Sequence, residues 1–463
     1  MGQLFESLYI SKDAAGVFMH KMFLTVMLPV IVFIMAGCSA LVQNEKHDFV
    51  RVNGSHFEIG ARPYYYTGTN LWYGCYLGSP GKTGDRARLV RELDNLQAVG
   101  ITNLRILGAS EASYIANSLK PAIQIKPNVY DEDLLAGLDF LLDEMGKRNM
   151  RAVIFLNNYW EWTGGMAQYN EWANGGGGLD PANNNYPNFM DYSASFYGNQ
   201  KAQALFTNFV HMLLTRKNQI NGIAYSNDPT IMAWQLANEP RPGRNDTWLT
   251  QYYQWIDGTA AYIHSIDKNH LVSAGSEGLA GTLQDSAIYY KTNNSPNIDY
   301  LNFHLWPKNW SWFDAFHSEQ TYPKTEANAI NYINQHVAFA GELNKPIVME
   351  EFGIPRDSEL CKTGTPTTMR DRYFAKILGV VYENAAAGSP MAGTNVWAWG
   401  GEGRGQHPDD KWLPGDPFVG DPPQEPQGLN SIFDSDLSTL SIFKAHAAKM
   451  KALTQTKTLV QKP

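Results

Sequence analysis

Ile231-Met232-Ala233-Trp234-Gln235-Leu236-Ala237-Asn238-Glu239-Pro240-Arg241 is an apolar run that stops in a carboxylate. Residues 231–236 have the length and composition of a buried strand, and Asn-Glu-Pro then turns the chain away. A buried strand ending in polar groups is the pattern of a parallel sheet, whose functional side chains stand at the carboxyl ends of its strands. The pattern recurs. Candidate strands are residues 64–69, 102–107, 152–156, 231–236, 271–274, 300–303, 347–350 and 394–398. Helical patterns fill most of the gaps, at 85–99, 131–148, 201–216, 248–265, 325–343 and 367–386, with a last one at 438–453. The crossover from the fifth strand to the sixth shows no clear helical pattern. Eight strands mostly separated by helices give the α/β class, and eight is the number that closes as a (β/α)8 TIM barrel. Such a core needs about 250 residues. This chain has 463, so its strand-to-helix loops are long and wall a cleft.

The chemistry is then read at the strand ends. The seventh strand runs Lys345-Pro346-Ile347-Val348-Met349-Glu350-Glu351-Phe352-Gly353 and ends in two adjacent acids. Side chains alternate along a strand, so only one of the two can face the site, and the sequence leaves open which. With Glu239, two carboxylates at two strand ends form the pair a glycosidase uses, one as acid/base and one as its partner. Arg105, at the second strand, is a cation that can hold a carboxylate ionised, or equally an ordinary structural ion pair. Asn157-Asn158-Tyr159-Trp160 follows the third strand, Phe303-His304-Leu305-Trp306-Pro307 the sixth, and Asn395-Val396-Trp397-Ala398-Trp399 the eighth. His304 is singled out only by its position. Trp397 is placed to floor a sugar ring, although a lone Trp is more often core.

Composition narrows the class. The apolar fraction is 44% and the charged fraction 18%, which is globular rather than disordered. A net charge of −8 argues against a nucleic-acid partner, since that binding needs basic groups to neutralise phosphates. Thirteen Trp, 24 Tyr and 21 Phe suit sugar rings but serve core packing as readily. There is no His-Glu-x-x-His motif, no EF-hand loop and no Gly-rich phosphate loop, so neither metal nor organic cofactor is expected.

The N-terminus is read apart from the fold. His20-Lys21 precedes an apolar run at 23–36 that is too short to span a bilayer. Met35-Ala36-Gly37-Cys38 resembles the end of a bacterial lipoprotein signal, with Cys38 as the lipidated residue, although Met35 is not the usual residue there; a plain secretory signal is the other reading. Translation starting at Met19 or Met22 would fit it. The organisation expected is an export segment at 1–38, a polar tether at 39–47 and one catalytic domain at 48–463. The expectation is an exported, envelope-tethered protein facing the periplasm or the cell surface; no protein partner is expected. Cys75 and Cys361 remain, either paired or as two separate thiols.

Taken together, these segments resemble glycoside hydrolase family 5, and within it the endo-β-1,4-mannanases, over nearly all of 48–463. The similar stretches are Tyr66-Thr67-Gly68-Thr69-Asn70-Leu71-Trp72, Asn157-Asn158 with Gly164-Gly165 and Gln168-Tyr169, Asn238-Glu239-Pro240-Arg241, and Glu351-Phe352-Gly353. The resemblance implies Glu239 as acid/base and Glu351, not Glu350, as nucleophile. It implies Arg105 and Asn238 as supports of charge and the 2-hydroxyl, His304 lining the site, Trp397 as the sugar platform and Arg241 on the leaving-group side. Asn158, Trp160 and Trp306 complete the substrate-binding set. Trp306 departs from the family, in which many members carry Tyr; an indole donates a hydrogen bond but cannot accept one. The implied substrate is a β-mannan, cut internally with retention. A cellulase-like glucanase and a transglycosylase share the same carboxylates. Two remote readings are a serine esterase, from Ala274-Gly275-Ser276-Glu277-Gly278, which is one glycine short of a nucleophile elbow, and a glycan-binding protein without turnover.

Overall fold

The computed structural model describes residues 48–181 and 185–460, with side chains to 454. The export segment, Cys38 and the tether lie outside the described residues. Eight parallel strands form one sheet: β1 (Tyr66–Asn70), β2 (Asn103–Leu107), β3 (Arg151–Phe155), β4 (Ile231–Gln235), β5 (Leu271–Ser273), β6 (Leu301–Leu305), β7 (Ile347–Phe352) and β8 (Met391–Val396). Their spatial order is β5-β4-β3-β2-β1-β8-β7-β6, all neighbours parallel. No ladder joins β5 to β6. Asn302 of β6 bridges that seam instead, accepting from Gly275 N at 3.1 Å and donating to Ser276 O at 2.8 Å. The sheet is thus a nearly closed barrel.

Seven helices follow β1 to β7 as crossovers and an eighth follows β8. They are α1 (Arg86–Val99), α2 (Glu132–Lys147), α3 (Gln200–Thr215), α4 (Leu249–Ile266), α5 (Ser286–Asn293), α6 (Ser318–Leu343), α7 (Thr368–Ala386) and α8 (Leu437–Val460). Asp85, Asp131 and Asn199 cap α1, α2 and α3, accepting from backbone N–H groups that no helical carbonyl can reach. α5 is the crossover helix without a visible pattern. It has two turns, and Thr292 and Asn293 share its buried face with Ile288 and Tyr289, so apolar periodicity cannot reveal it. α6 starts earlier than the pattern suggests and includes Pro323.

The lower barrel is plugged by an antiparallel sheet (Val50–Asn53, His56–Ile59, Arg62–Pro63), which the sequence reading did not anticipate. Phe57 packs edge-on to Tyr300 at 5.3 Å, with Tyr66, Val153, Met232 and Val348 around them. Above this apolar layer the interior turns polar, through Asn103, Asn395, Gln235, Glu350 and Arg105, all fully buried. Among the described residues no helix is long and apolar enough to cross a membrane.

The C-terminal segment is locked by Asp436, which takes Arg356 at 2.6 and 3.0 Å and Arg370 at 2.9 Å, both guanidiniums wholly buried. Asp436→Ala strands two buried cations, and breaking such a network costs about 3–5 kcal/mol. Urea unfolding of that variant should show a loss of this size. A loss under about 1 kcal/mol would show that the network is dispensable.

Candidate active site

Glu239 is placed by backbone bonds across three strand ends. Asn238 N donates to Asn157 O (2.8 Å), Glu239 N to Gly275 O (2.9 Å) and Tyr159 N to Asn238 O (3.0 Å). Its φ of +50° is left-handed, a conformation that costs a non-glycine residue about 1–3 kcal/mol and collects at functional sites. Gly275 allows the approach, since a Cβ there would lie 1.8 Å from Ala237 O. Three groups converge on the carboxyl: Trp160 Nε1 donates to Oε2 at 2.6 Å, the Trp306 indole lies beside it, and His304 Nδ1 is 2.6 Å from Oε1.

Glu350 and Glu351 face opposite ways. Glu351 lines the cavity, while Glu350 points into the barrel and meets Gln235 and Tyr300. Arg105 grips Glu351 directly through Nη1 and spreads its other donors over Asn70 (3.1 Å), Gln235 (2.7 Å) and Asn238 (2.8 Å). His304 Nδ1 is also 3.4 Å from Glu351, so it stands between the two acids. One atom from each of Glu239, His304 and Glu351 falls within 4.8 Å of the others. The carboxyl oxygens are already engaged by Arg105, Trp160 and His304, and we assign no metal ligand among them.

Burial raises both acids, Glu351 well above the ordinary carboxylate value. Arg241 and Trp160 oppose the rise at Glu239; Arg105 opposes it at Glu351, where the neighbouring charge of Glu239 adds to it. The two therefore titrate as a pair that keeps a proton. Burial, with Arg105 second, holds His304 well below the usual imidazole value, so it is neutral.

The cavity above the pair is about 710 Å³. Trp397 floors it edge-on to Trp306 at 6.1 Å, and the Trp397 indole N–H has no protein partner. Arg241 lies over Trp160 at 4.9 Å and pairs with Glu277, which also takes Trp310 Nε1 at 3.1 Å.

A sequence model of the group described as glycoside hydrolase family 5, beta-mannosidase-like, matches residues 47–455. The chain belongs to that family. As a family 5 glycoside hydrolase it is an enzyme. It is 32% identical to mannan endo-1,4-beta-mannosidase 1 of Arabidopsis thaliana over 367 residues, 76% of this chain and 82% of the relative. A family 5 mannosidase from Rhizomucor miehei superposes with a TM-score of 0.80 at 32% identity, over 89% of this chain and 99% of that one. The endo-β-1,4-mannanase of Thermotoga petrophila shares the fold, with a TM-score of 0.61 at 22% identity, over 84% of this chain and 77% of that one.

Against this family 5 frame, the site residues read from sequence divide into three groups. Glu239, Glu351, Asn238, Trp160, Arg241, Trp306 and Trp397 line the cavity. Arg105 and His304 are fully buried directly behind the acids. Asn158 lies buried behind the site, where its Oδ1 accepts from Asn238 Nδ2 and Trp160 N and so orients both. Trp306 lines the cavity beside Glu239, where its indole opposes the rise of the Glu239 carboxyl. The esterase reading falls. Ser276 is fully buried, its oxygen accepts from Gly278 N at 3.1 Å, and His304, the strand-end histidine, is committed to the carboxylates. Cys75 and Cys361 are free thiols. The sequence reading missed Glu277, Trp310 and Glu425. Glu277 follows β5, and the strand-end rule could have found it; Glu425 belongs to a long loop beyond β8 and carries no such signal.

Proposed function

We propose that this enzyme is a retaining endo-β-1,4-mannanase that cuts internal linkages of mannan, glucomannan or galactomannan. The observation that carries the reading is the close approach of Glu239 and Glu351, one carboxyl oxygen of each lying within 4.8 Å of the other and of a His304 ring nitrogen. Retaining glycosidases hold their carboxyls about 5–5.5 Å apart, and inverting ones about 6.5–9.5 Å, to admit a water. Names among the relatives support the substrate class.

The roles follow from the surroundings. Arg105 stabilises the charge of Glu351, the nucleophile. Because the Arg105 guanidinium is bonded directly to Glu351, the pair's shared proton is assigned to Glu239, whose O–H then donates to Nδ1 of neutral His304. Glu351 bonds the anomeric carbon as the glycosidic C–O bond breaks, and Glu239 gives its proton to the departing oxygen. Glu239 then takes a proton from water, whose oxygen displaces Glu351 from that carbon. Asn238, held by Arg105 and Asn158, faces the 2-hydroxyl; Trp397 carries the ring, and Trp160, Trp306 and Arg241 flank it.

A second reading is a mannosidase acting on short chains. It is favoured by the Rhizomucor relative, one form of which is in complex with mannosyl-fructose, and by a cavity whose size also suits a small ligand. Residues 1–38 as an export segment, Cys38 as a lipidation site, residues 39–47 as the tether and 48–463 as one catalytic domain complete the proposal, with the enzyme working outside the cytoplasm.

The test is viscosity and product length on galactomannan beside a cellulose derivative. An early fall in viscosity with mixed oligosaccharides is expected on the mannan alone. Mannose released with viscosity intact favours the second reading, and cleavage of the cellulose derivative alone removes the mannan assignment.

A further inference from the structure

β7 carries two acids, and the function proposed above employs one. Glu350 is fully buried, with an unbroken chain of contacts running from it to the other. One carboxyl oxygen takes Gln235 Nε2, and the other is 3.1 Å from the Tyr300 hydroxyl. Gln235 Oε1 accepts from Arg105 Nε at 2.7 Å, and Gln235 Nε2 also reaches Ser273 Oγ at 3.1 Å. Arg105 then grips Glu351. Glu350 thus fixes the amide that fixes the guanidinium.

The charges around it do not balance if every acid is ionised. Glu350 is faced by Arg105 from β2, Tyr66 from β1, Tyr300 at the start of β6 and Tyr289 from α5, with Glu351 adjacent on β7. Burial pushes the three tyrosine hydroxyls well above their ordinary value, so none carries charge. Arg105 is therefore one cation shared by two buried carboxyls. Two carboxylates there would leave one buried negative charge uncompensated, a state that proteins avoid by protonation.

We propose that Glu350 works as its neutral acid, a positioning residue that locks Gln235 and Arg105 and leaves the guanidinium's charge to Glu351. In this form the hydrogen bonds close. The Glu350 carbonyl accepts from Gln235, and its O–H donates to Tyr300, whose own hydrogen can turn to Ser273. Independently, burial pushes the Glu350 carboxyl up to about 7, against the pull of Arg105. The inference rests on Glu351 being the nucleophile.

Glu350→Gln keeps the neutral pattern, with its carbonyl toward Gln235 and its amide N–H toward Tyr300. We expect kcat/KM within about threefold of wild type and an unmoved acid limb of its pH profile. Glu350→Ala frees Gln235 and Arg105, so kcat should fall by at least about tenfold with KM little changed, and the acid limb should move up. A Gln variant as poor as the Ala variant overturns the proposal. So does an acid limb shifted down in the Gln variant, because removing a real negative charge makes Glu351 easier to ionise. Infrared difference spectra of wild type against Glu350→Gln, below neutral pH, read the state without turnover. Loss of a protonated-carboxyl band supports the neutral acid, and loss of a carboxylate band overturns it. The functional reading fails by a separate route, if Glu351→Ala keeps its activity.

Discussion

Glu351→Ala is expected to lower kcat on galactomannan by about 10⁴-fold or more, with KM changed far less. In the proposed mechanism this carboxylate bonds the anomeric carbon, and no neighbour is placed to substitute for it. Glu350 is one residue away but faces the barrel interior, and Glu239 is engaged by Trp160 and His304. The loss should be chemical rather than structural. Azide or formate, small enough to enter the space left by the carboxylate, should restore turnover of an aryl β-mannoside with a good leaving group, and the product should have the α configuration. That stereochemistry separates the lost nucleophile from a lost proton donor. A variant that kept more than about a tenth of wild-type turnover, once shown to be folded, would remove Glu351 from the role.

Much of the barrel is legible in the chain because each strand is a short apolar run with its own turn signal. The eight runs overlap all eight strands, and the boundary errors fall where burial outweighs pattern. Residues 64–65 precede β1 rather than opening it, and β6 runs on to Leu305 because His304 and Leu305 pair with Glu351 and Phe352. The plugging sheet at 50–63 is hidden, because two-to-four-residue strands leave too few alternations to count. In the site, Glu239, Glu351, Arg105 and His304 are readable because the barrel obliges functional groups to stand at strand ends. Groups that reach the site from long loops carry no such constraint. Glu425 lines the cavity from a loop beyond β8, and Trp310 reaches Glu277 only because residues 306–312 fold back on themselves. Nor does sequence show that Asn158 serves Asn238. That assignment depends on a side-chain bond between two strand ends.

Glu239→Ala should have an effect that depends on the leaving group, and this dependence is its signature. On galactomannan the departing oxygen is a poor leaving group and needs the proton, so turnover should fall by about 10²–10⁴-fold. On an aryl mannoside with an acidic phenol the first step needs no proton and should survive. Water attack, which needs Glu239 as base, then limits the rate, so kcat drops, the glycosyl-enzyme accumulates and KM falls with it. The pH profile adds an independent check. Burial raises Glu239, so its acid form persists above the ordinary carboxylate range and is lost as pH climbs through the raised value. Wild-type kcat/KM should therefore fall off on the alkaline side, and the Ala variant's kcat/KM on the activated mannoside should stay flat there. If the variant loses equal factors on both substrates, Glu239 is not the proton donor, and the three groups that converge on it must be explained as structure alone.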